Sequence, residues 1–84
     1  MKADTKMSRT RDALKALAKQ RLEIELTDEM IDSGTAFNEL GVDSLDTIEL
    51  IVSIEDDLDL ELSDERLDEV KNIKDLADYL AEFD

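Results

Sequence analysis

The chain has 84 residues, of which 24 are acidic and 10 are basic, so its formal net charge is −14. This length predicts one small domain, residues 1–84, with a frayed beginning and a thin core. Because the chain lacks cysteine and histidine, it has no disulfide, zinc–thiolate site, thiol nucleophile or Ser-His triad. We therefore expect a protein that is not an enzyme. The negative charge favours basic protein surfaces as partners and disfavours nucleic acid and anionic membranes.

The beginning of the chain does not resemble a signal peptide, because no apolar run follows its first charged residues. No stretch approaches the roughly 18 apolar residues that span a bilayer. These features predict a soluble, monomeric, cytoplasmic protein that does not contact membranes.

The chain contains no proline, and its long stretches with helical apolar spacing predict an all-α fold. The first helix is predicted from about Thr5 to Arg21, and seven of the ten basic residues lie within the first 21 positions. Residues 23–41 are predicted to form a long packed connection. Its apolar anchors are Leu26, Met30, Ile31, Phe37 and Leu40.

Three further helices are predicted after polar residues of the kind that cap helix N-termini. They are a helix capped by Asp43 and ending near Leu58, a short helix Asp64 to Val70 capped by Ser63, and a helix Ile73 to Phe83 capped by Asn72. Leu67 and Val70 are expected to point inward, and Tyr79 and Phe83 to lie in or near the core. The predicted architecture is a small four-helix bundle with a short third helix and a long loop between helices one and two.

The second predicted helix carries more apolar residues than one buried face needs. At about 100° per residue, one arc holds Thr47, Leu50, Ile51, Ile54 and Leu58. A second arc, beside Ser44, holds Leu45, Ile48 and Val52. This second arc is either buried beneath the long loop or exposed as an apolar strip rimmed by carboxylates, which would suit docking by a basic partner.

The sequence around this helix contains a recognisable motif. Residues 37–50 read F-N-E-L-G-V-D-S-L-D-T-I-E-L, and they resemble the acyl carrier protein family through the pattern F-x-x-L-G-x-D-S-L. The likeness continues through the acidic stretch 55–61 and the last two predicted helices, so it covers roughly residues 10–83. The eleven consecutive residues 40–50 make the resemblance specific.

The resemblance implies that Ser44 carries a 4′-phosphopantetheine arm, transferred from coenzyme A by a phosphopantetheinyl transferase that needs Mg²⁺. The arm's thiol would hold acyl intermediates as thioesters, which explains how a chain without cysteine could serve acyl transfer. Asp43 is expected to cap the helix and, by family likeness, to help hold Mg²⁺ during the transfer. Gly41 is expected to allow the tight backbone path into the helix.

The same resemblance implies a docking face for acyl-transferring, condensing and modifying enzymes with basic patches. Its expected members are Leu45, Asp46, Ile48, Glu49, Val52, Glu55 and Asp56. A second implication is that an acyl chain shelters between the helices, against Leu50, Ile51, Ile54 and Leu58.

The chain departs from the family pattern at several positions. Residues 37–41 are one residue shorter than the F-x-x-D-L-G of primary fatty acid carriers, and residues 22–26 lack the glycine expected after the first helix. Ser63 replaces a frequent proline, and Leu67 replaces a small residue, which is expected to narrow or reshape the acyl pocket. These differences favour a dedicated carrier as an alternative to the housekeeping one.

The sequence leaves other functions open. The motif continuation D-T-I-E-L favours fatty acid or related lipid synthesis, with a polyketide or aminoacyl carrier as the alternative. An unmodified acidic adaptor is a further alternative that requires no chemistry at Ser44. The acidic run 55–61 lacks the D-x-D-x-D-G calcium loop, so no specific metal site is predicted.

Overall fold

The computed structural model describes residues 9–84, and within them the chain is helical. Five α-helices occur in this part: α1 (Arg9–Leu22), α2 (Asp28–Asp32), α3 (Ser44–Leu58), α4 (Asp64–Asp68) and α5 (Ile73–Ala81), and a 3₁₀ turn (Phe37–Leu40) precedes α3. The predicted all-α fold, with its short helix before the last one, is confirmed. The predicted start of the first helix at residues 5–8 and the expected fraying at the chain's beginning lie outside the described residues.

The three predicted N-caps are confirmed. The side chains of Asp43, Ser63 and Asn72 each accept a hydrogen bond from the backbone N–H three residues later, at 2.9, 3.4 and 2.9 Å. Each bond satisfies one of the N–H groups that a helix N-terminus leaves without a partner. The helix boundaries that position the candidate site are therefore set by local chemistry.

The core lies where α1 packs against α3 and α5, and where α2 closes over α5. Its largest fully buried side chains are Leu14, Ile31, Leu50, Ile54, Ile73, Leu76 and Leu80. From α3 only Leu50 and Ile54 are buried. This leaves most of the other apolar residues of α3 on faces that α1 does not cover.

The connection between α1 and α3 is packed, as expected, and it also contains α2 and the 3₁₀ turn, which its sequence pattern did not predict. Ile31 is fully buried and anchors α2. Ion pairs also tie α2 to α1: Arg11 contacts Asp28 and Asp32, both at 3.2 Å, and Lys15 contacts Asp28 at 2.7 Å. The basic face of the first helix is thus partly neutralised by the acidic segment that follows it.

The last helix ends earlier than predicted. It stops at Ala81, and Glu82 and Phe83 form a turn beyond it. Tyr79 is buried as predicted, whereas Phe83 is 38% exposed and so lies beside the core and not in it. The Phe83 ring packs against the Tyr79 ring at a tilt, with ring centres 5.7 Å apart.

Candidate functional site

Ser44 is the first residue of α3, and its side chain is exposed. Among residues 9–84, no group forms a hydrogen bond with the Ser44 hydroxyl. The helix begins at Ser44 because Asp43, in extended conformation, caps it through the Asp46 N–H. The site therefore presents a free hydroxyl at the end of a helix whose dipole favours a negative group such as a phosphate.

The turn into α3 depends on Gly41. This residue adopts φ +78°, in the left-handed region, and the Val42 N–H just after it donates to the Phe37 carbonyl at 3.0 Å. A Cβ at Gly41 would meet nothing within 4 Å, so the backbone angle, not space, favours glycine here. The expected role of Gly41 in the tight path before Ser44 is confirmed.

The second arc of α3 is exposed, which decides between the two interpretations of its sequence. Leu45, Ile48 and Val52 are 76%, 57% and 49% exposed, and they form one continuous face with Ser44, here called the apolar strip. Large apolar side chains grouped on a surface typically mark a contact site. The long loop therefore does not bury this arc.

Carboxylates border the apolar strip, and they differ in their surroundings. Glu49 and Asp56 are exposed, and Asp46 is half-buried near the helix start. Glu55 is also half-buried, and its Oε2 accepts a hydrogen bond from the Leu62 N–H at 2.9 Å. Glu55 therefore also holds the loop between α3 and α4 in place.

A cleft of about 920 Å³ opens beside Ser44, between α3, the 3₁₀ turn and α4. The polar residues of its lining are Asn38, Asp43, Ser44, Thr47, Glu55, Asp64, Asp68 and Lys71. Its apolar side chains are Ala36, Phe37, Val42, Ile48, Ile51, Val52, Leu67 and Val70. The cleft has the size and apolar lining of a small-molecule site.

The cleft uses only part of the apolar lining that the family resemblance implied. Ile51 lines it as expected, but Leu50, Ile54 and Leu58 do not. Leu50 and Ile54 point to the opposite side of α3 and are buried in the main core. Phe37, Val42 and Val70 take their place, because the 3₁₀ turn and α4 fold over the neighbouring face of α3. Leu67, which differs from the small residue common in the family, also lines the cleft.

The α4 wall of the cleft is attached to α5 by side chains. The Ser63 N–H donates to the Tyr79 hydroxyl at 2.9 Å, and Arg66 donates two hydrogen bonds to the Glu82 carboxylate. The Arg66 guanidinium also lies 4.3 Å from the centre of the Tyr79 ring. Hydrogen bonding from Arg66 lowers the pKa of the Glu82 carboxyl below its usual range.

Two further observations apply only to the described part of the chain. Within residues 9–84, no three acidic side chains are grouped so that they could hold a metal ion. No helix in the same range is long and apolar enough to cross a membrane.

Comparisons with known proteins agree with this geometry. The family model described as "Phosphopantetheine attachment site" matches residues 12–80. The chain is 39% identical over 79 residues to the mitochondrial acyl carrier protein of Saccharomyces cerevisiae, covering 93% of this chain and 62% of that protein. It is 35% identical over 71 residues to the acyl carrier protein of Clostridium perfringens, covering 84% of this chain and 92% of that protein.

The fold and the matched domain define a phosphopantetheine-bearing carrier. The chain belongs to the acyl carrier protein family, and its cofactor is 4′-phosphopantetheine. The exposed, unpartnered Ser44 hydroxyl fits such a covalent group, since nothing in the described structure has to move to free it.

Proposed function

We propose that Ser44 is the attachment residue and that the chain presents acyl groups to the enzymes of fatty acid or related lipid synthesis. The observation that carries this proposal is the exposed Ser44 hydroxyl, at the start of α3 and on the edge of an apolar cleft. The bound arm supplies the thiol to which an acyl group is joined. The protein catalyses no step itself and serves as the substrate and partner of other enzymes.

The residues around Ser44 have separate proposed roles. The N-terminus of α3 favours the phosphate charge, and Gly41 shapes the backbone leading to it. Asp43 uses Oδ1 for the helix cap, which leaves its second oxygen to help hold the Mg²⁺ that the transferase requires. The two functions of Asp43 are compatible because different oxygens serve them.

The proposed docking face consists of the apolar strip and its carboxylates, Asp46, Glu49, Glu55 and Asp56. Its exposed apolar centre and acidic border are complementary to a partner surface with basic residues around an apolar patch. Such charge complementarity speeds encounter and orients the partner. The expected partners are the phosphopantetheinyl transferase and acyl-transferring, condensing and modifying enzymes. Nucleic acid and membranes are not expected partners.

The cleft is the proposed shelter for the acyl chain. It begins at Ser44 and continues along Ile51 and Leu67, so a chain tethered near Ser44 could enter it. Leu67, which stands where the family often has a smaller residue, is proposed to limit the room at the α4 wall. We also propose a monomeric protein and a cytoplasmic location; of the two relatives, one is mitochondrial and the other is bacterial.

The attachment site can be tested by intact mass spectrometry. The protein is incubated with coenzyme A, Mg²⁺ and a broad-specificity transferase, beside Ser44→Ala and a control, Ser63→Ala. Ser63 is a suitable control because it is also an exposed serine at a helix start. We expect one phosphopantetheine mass on the parent and on Ser63→Ala but none on Ser44→Ala. No addition to a folded parent, tried with more than one transferase, would favour the unmodified adaptor.

The cargo is tested separately. Holo protein is offered a malonyl-transferring enzyme of fatty acid synthesis and, in parallel, adenylating ligases. Loading by the malonyl-transferring enzyme supports a carrier of lipid synthesis. Loading only by the ligases supports an aminoacyl carrier. A third arm offers a loading enzyme of polyketide synthesis, and loading by that enzyme alone supports a polyketide carrier.

A further inference from the structure

One arginine joins the short helix α4 to the last helix. Arg66 Nη1 donates to Glu82 Oε1 at 3.2 Å, and Nη2 donates to the other carboxylate oxygen. The same guanidinium stacks over Tyr79, 4.3 Å from the ring centre. A planar guanidinium can make both contacts at once, which a lysine ammonium cannot do with the same geometry. We call this set of contacts the Arg66 latch.

The other side of α4 faces the cleft and is only partly buried. All of α4 is described, and none of its residues is buried. Leu67 is half-buried and lines the cleft opposite Ile51 and Val52 of α3. Two apolar walls across an open space attract each other in water, because contact removes their surface from the solvent. The cleft should therefore narrow unless α4 is held back.

Backbone N–H groups on either side of α4 donate to side chains of α5. The Ser63 N–H binds the Tyr79 hydroxyl at one end, and the Lys71 N–H binds Asp75 Oδ2 at 3.0 Å at the other. Between these points, Arg66 supplies the contacts from α4 to Tyr79 and to Glu82, just past the end of α5. The Arg66 latch therefore acts on the middle of α4, next to the cleft-lining Leu67.

We propose that Arg66 is a positioning residue that holds α4 against α5, keeps the cleft open and so determines how long an acyl chain it accepts. The part of this inference that concerns acyl chain length rests on the proposed function. The part that concerns the position of α4 does not. An exposed ion pair and a cation–π contact together favour the latched position by about tenfold. Removing them shifts α4 toward α3 and narrows the cleft.

The position of α4 can be measured without any modification of Ser44. Because the chain has no cysteine, spin labels can be placed at Glu49→Cys in α3 and Glu65→Cys in α4, both exposed. Pulsed electron resonance then compares this pair in the parent, in Arg66→Gln and in Lys74→Gln. Lys74→Gln removes the same charge and one ion pair, with Asp78, that does not involve α4. We expect a shorter distance only in Arg66→Gln; an unchanged or longer distance would overturn the proposal.

The effect on the acyl chain is measured as a gain in melting temperature, Tm. Each variant is compared in its holo form, with a short acyl group such as butyryl and with a long one such as tetradecanoyl. We expect the long chain to raise the Tm of the parent and Lys74→Gln clearly more than that of Arg66→Gln, with Arg66→Lys intermediate and the short group causing little difference. An equal or larger gain in Arg66→Gln would overturn the inference. If Ser44 cannot be loaded, the proposed function fails, while the label distance still decides whether Arg66 positions α4.

Discussion

Asp43 Oδ1 accepts a hydrogen bond from the Asp46 N–H at 2.9 Å, so the residue immediately before Ser44 is the cap of the helix that Ser44 begins. The Asp43 carbonyl also accepts bonds from the Thr47 N–H and hydroxyl, at 3.0 and 2.9 Å. The same carboxyl group is proposed to help hold Mg²⁺ during attachment of the arm. These two roles can be separated because an amide can cap a helix but is a poor Mg²⁺ ligand.

We predict that Asp43→Asn changes the free energy of unfolding little, whereas Asp43→Ala lowers it by about 1 kcal/mol through loss of the cap. Both substitutions should slow modification by the transferase, since both remove the carboxylate. Urea unfolding and the rate of mass gain check the two effects. If Asp43→Asn is modified at the parental rate, Asp43 acts only as a cap.

A second prediction concerns Glu23, which follows α1 with φ +58°, in the left-handed region. This is the segment in which the family resemblance leads us to expect a glycine. Replacing Glu23 with glycine relieves the unfavourable backbone angle and should raise the free energy of unfolding by about 1 kcal/mol. The matched control is Glu23→Gln, which removes the charge and keeps the strain. Equal stabilisation by both variants in urea would mean that charge repulsion, not the backbone angle, is the cause.

Capping chemistry explains why much of the fold could be predicted from the sequence. The N-caps Asp43, Ser63 and Asn72 act within four residues, so a local pattern is enough to place them. The short helix α2 also has a local cap, because the Thr27 side chain accepts a hydrogen bond from the Met30 N–H at 3.1 Å, but it is too short to show a helical apolar pattern. It has five residues and owes its position to Ile31 and to ion pairs with α1, which are contacts between distant parts of the chain.

The sequence did not reveal which face of α3 is buried in the core, which lines the cleft and which is exposed. Helical periodicity groups Leu50 with Ile51 on one arc, but it does not say which neighbour covers each side of that arc. In the structure Leu50 packs in the core and Ile51 lines the cleft. The exposure of Ile48 likewise depends on where the connection runs, which only the tertiary structure reveals.

A third prediction follows from the ion pairs of Asp28. Hydrogen bonds from Lys15, and then from Arg11, hold the pKa of the Asp28 carboxyl below its ordinary value of 3.8. A lowered pKa in the folded state stabilises the fold above the unfolded pKa, and this contribution is lost as pH falls through the folded pKa. Because the Asp28 side chain is 63% exposed, we expect its ion pairs to contribute only about 0.5 kcal/mol to the free energy of unfolding.

The measurement is urea unfolding of the parent and Asp28→Asn at about pH 6 and about pH 3. Asp28→Asn should be less stable at the higher pH, and the difference should shrink at the lower one. Asp64→Asn is the control, since Asp64 occupies the corresponding first position of α4 and forms no ion pair within residues 9–84. A difference that does not change with pH would contradict the assignment to the ion pairs.

The net charge of −14 gives a fourth prediction. Glu55, Asp56, Asp59 and Glu61 line one shallow groove at the end of α3, where their mutual repulsion is unfavourable. Added salt, or millimolar Mg²⁺ or Ca²⁺, should therefore raise the Tm by screening. Asp56→Asn/Glu61→Gln should reduce this response more than a charge-matched pair elsewhere, Asp12→Asn/Glu29→Gln. A response to Ca²⁺ alone would indicate a selective site instead of screening.

The last prediction separates docking from stability on the two arcs of α3. Leu45 and Ile48 are exposed, so Leu45→Ala and Ile48→Ala should leave the free energy of unfolding nearly unchanged. Leu50 is the next residue after Glu49 but is buried in the core. Leu50→Ala creates a cavity there and should lower the free energy of unfolding by about 2–5 kcal/mol.

The same variants should behave in the opposite order when the transferase is the readout. Loss of an apolar contact at the centre of an interface should weaken recognition by roughly tenfold, seen as a higher KM in Leu45→Ala and Ile48→Ala. Phe83→Ala is the control, because Phe83 is also an exposed large apolar residue but lies away from α3, beside Tyr79. If Phe83→Ala raises the KM as much as Ile48→Ala, the strip has no special part in docking, and general surface hydrophobicity accounts for the loss.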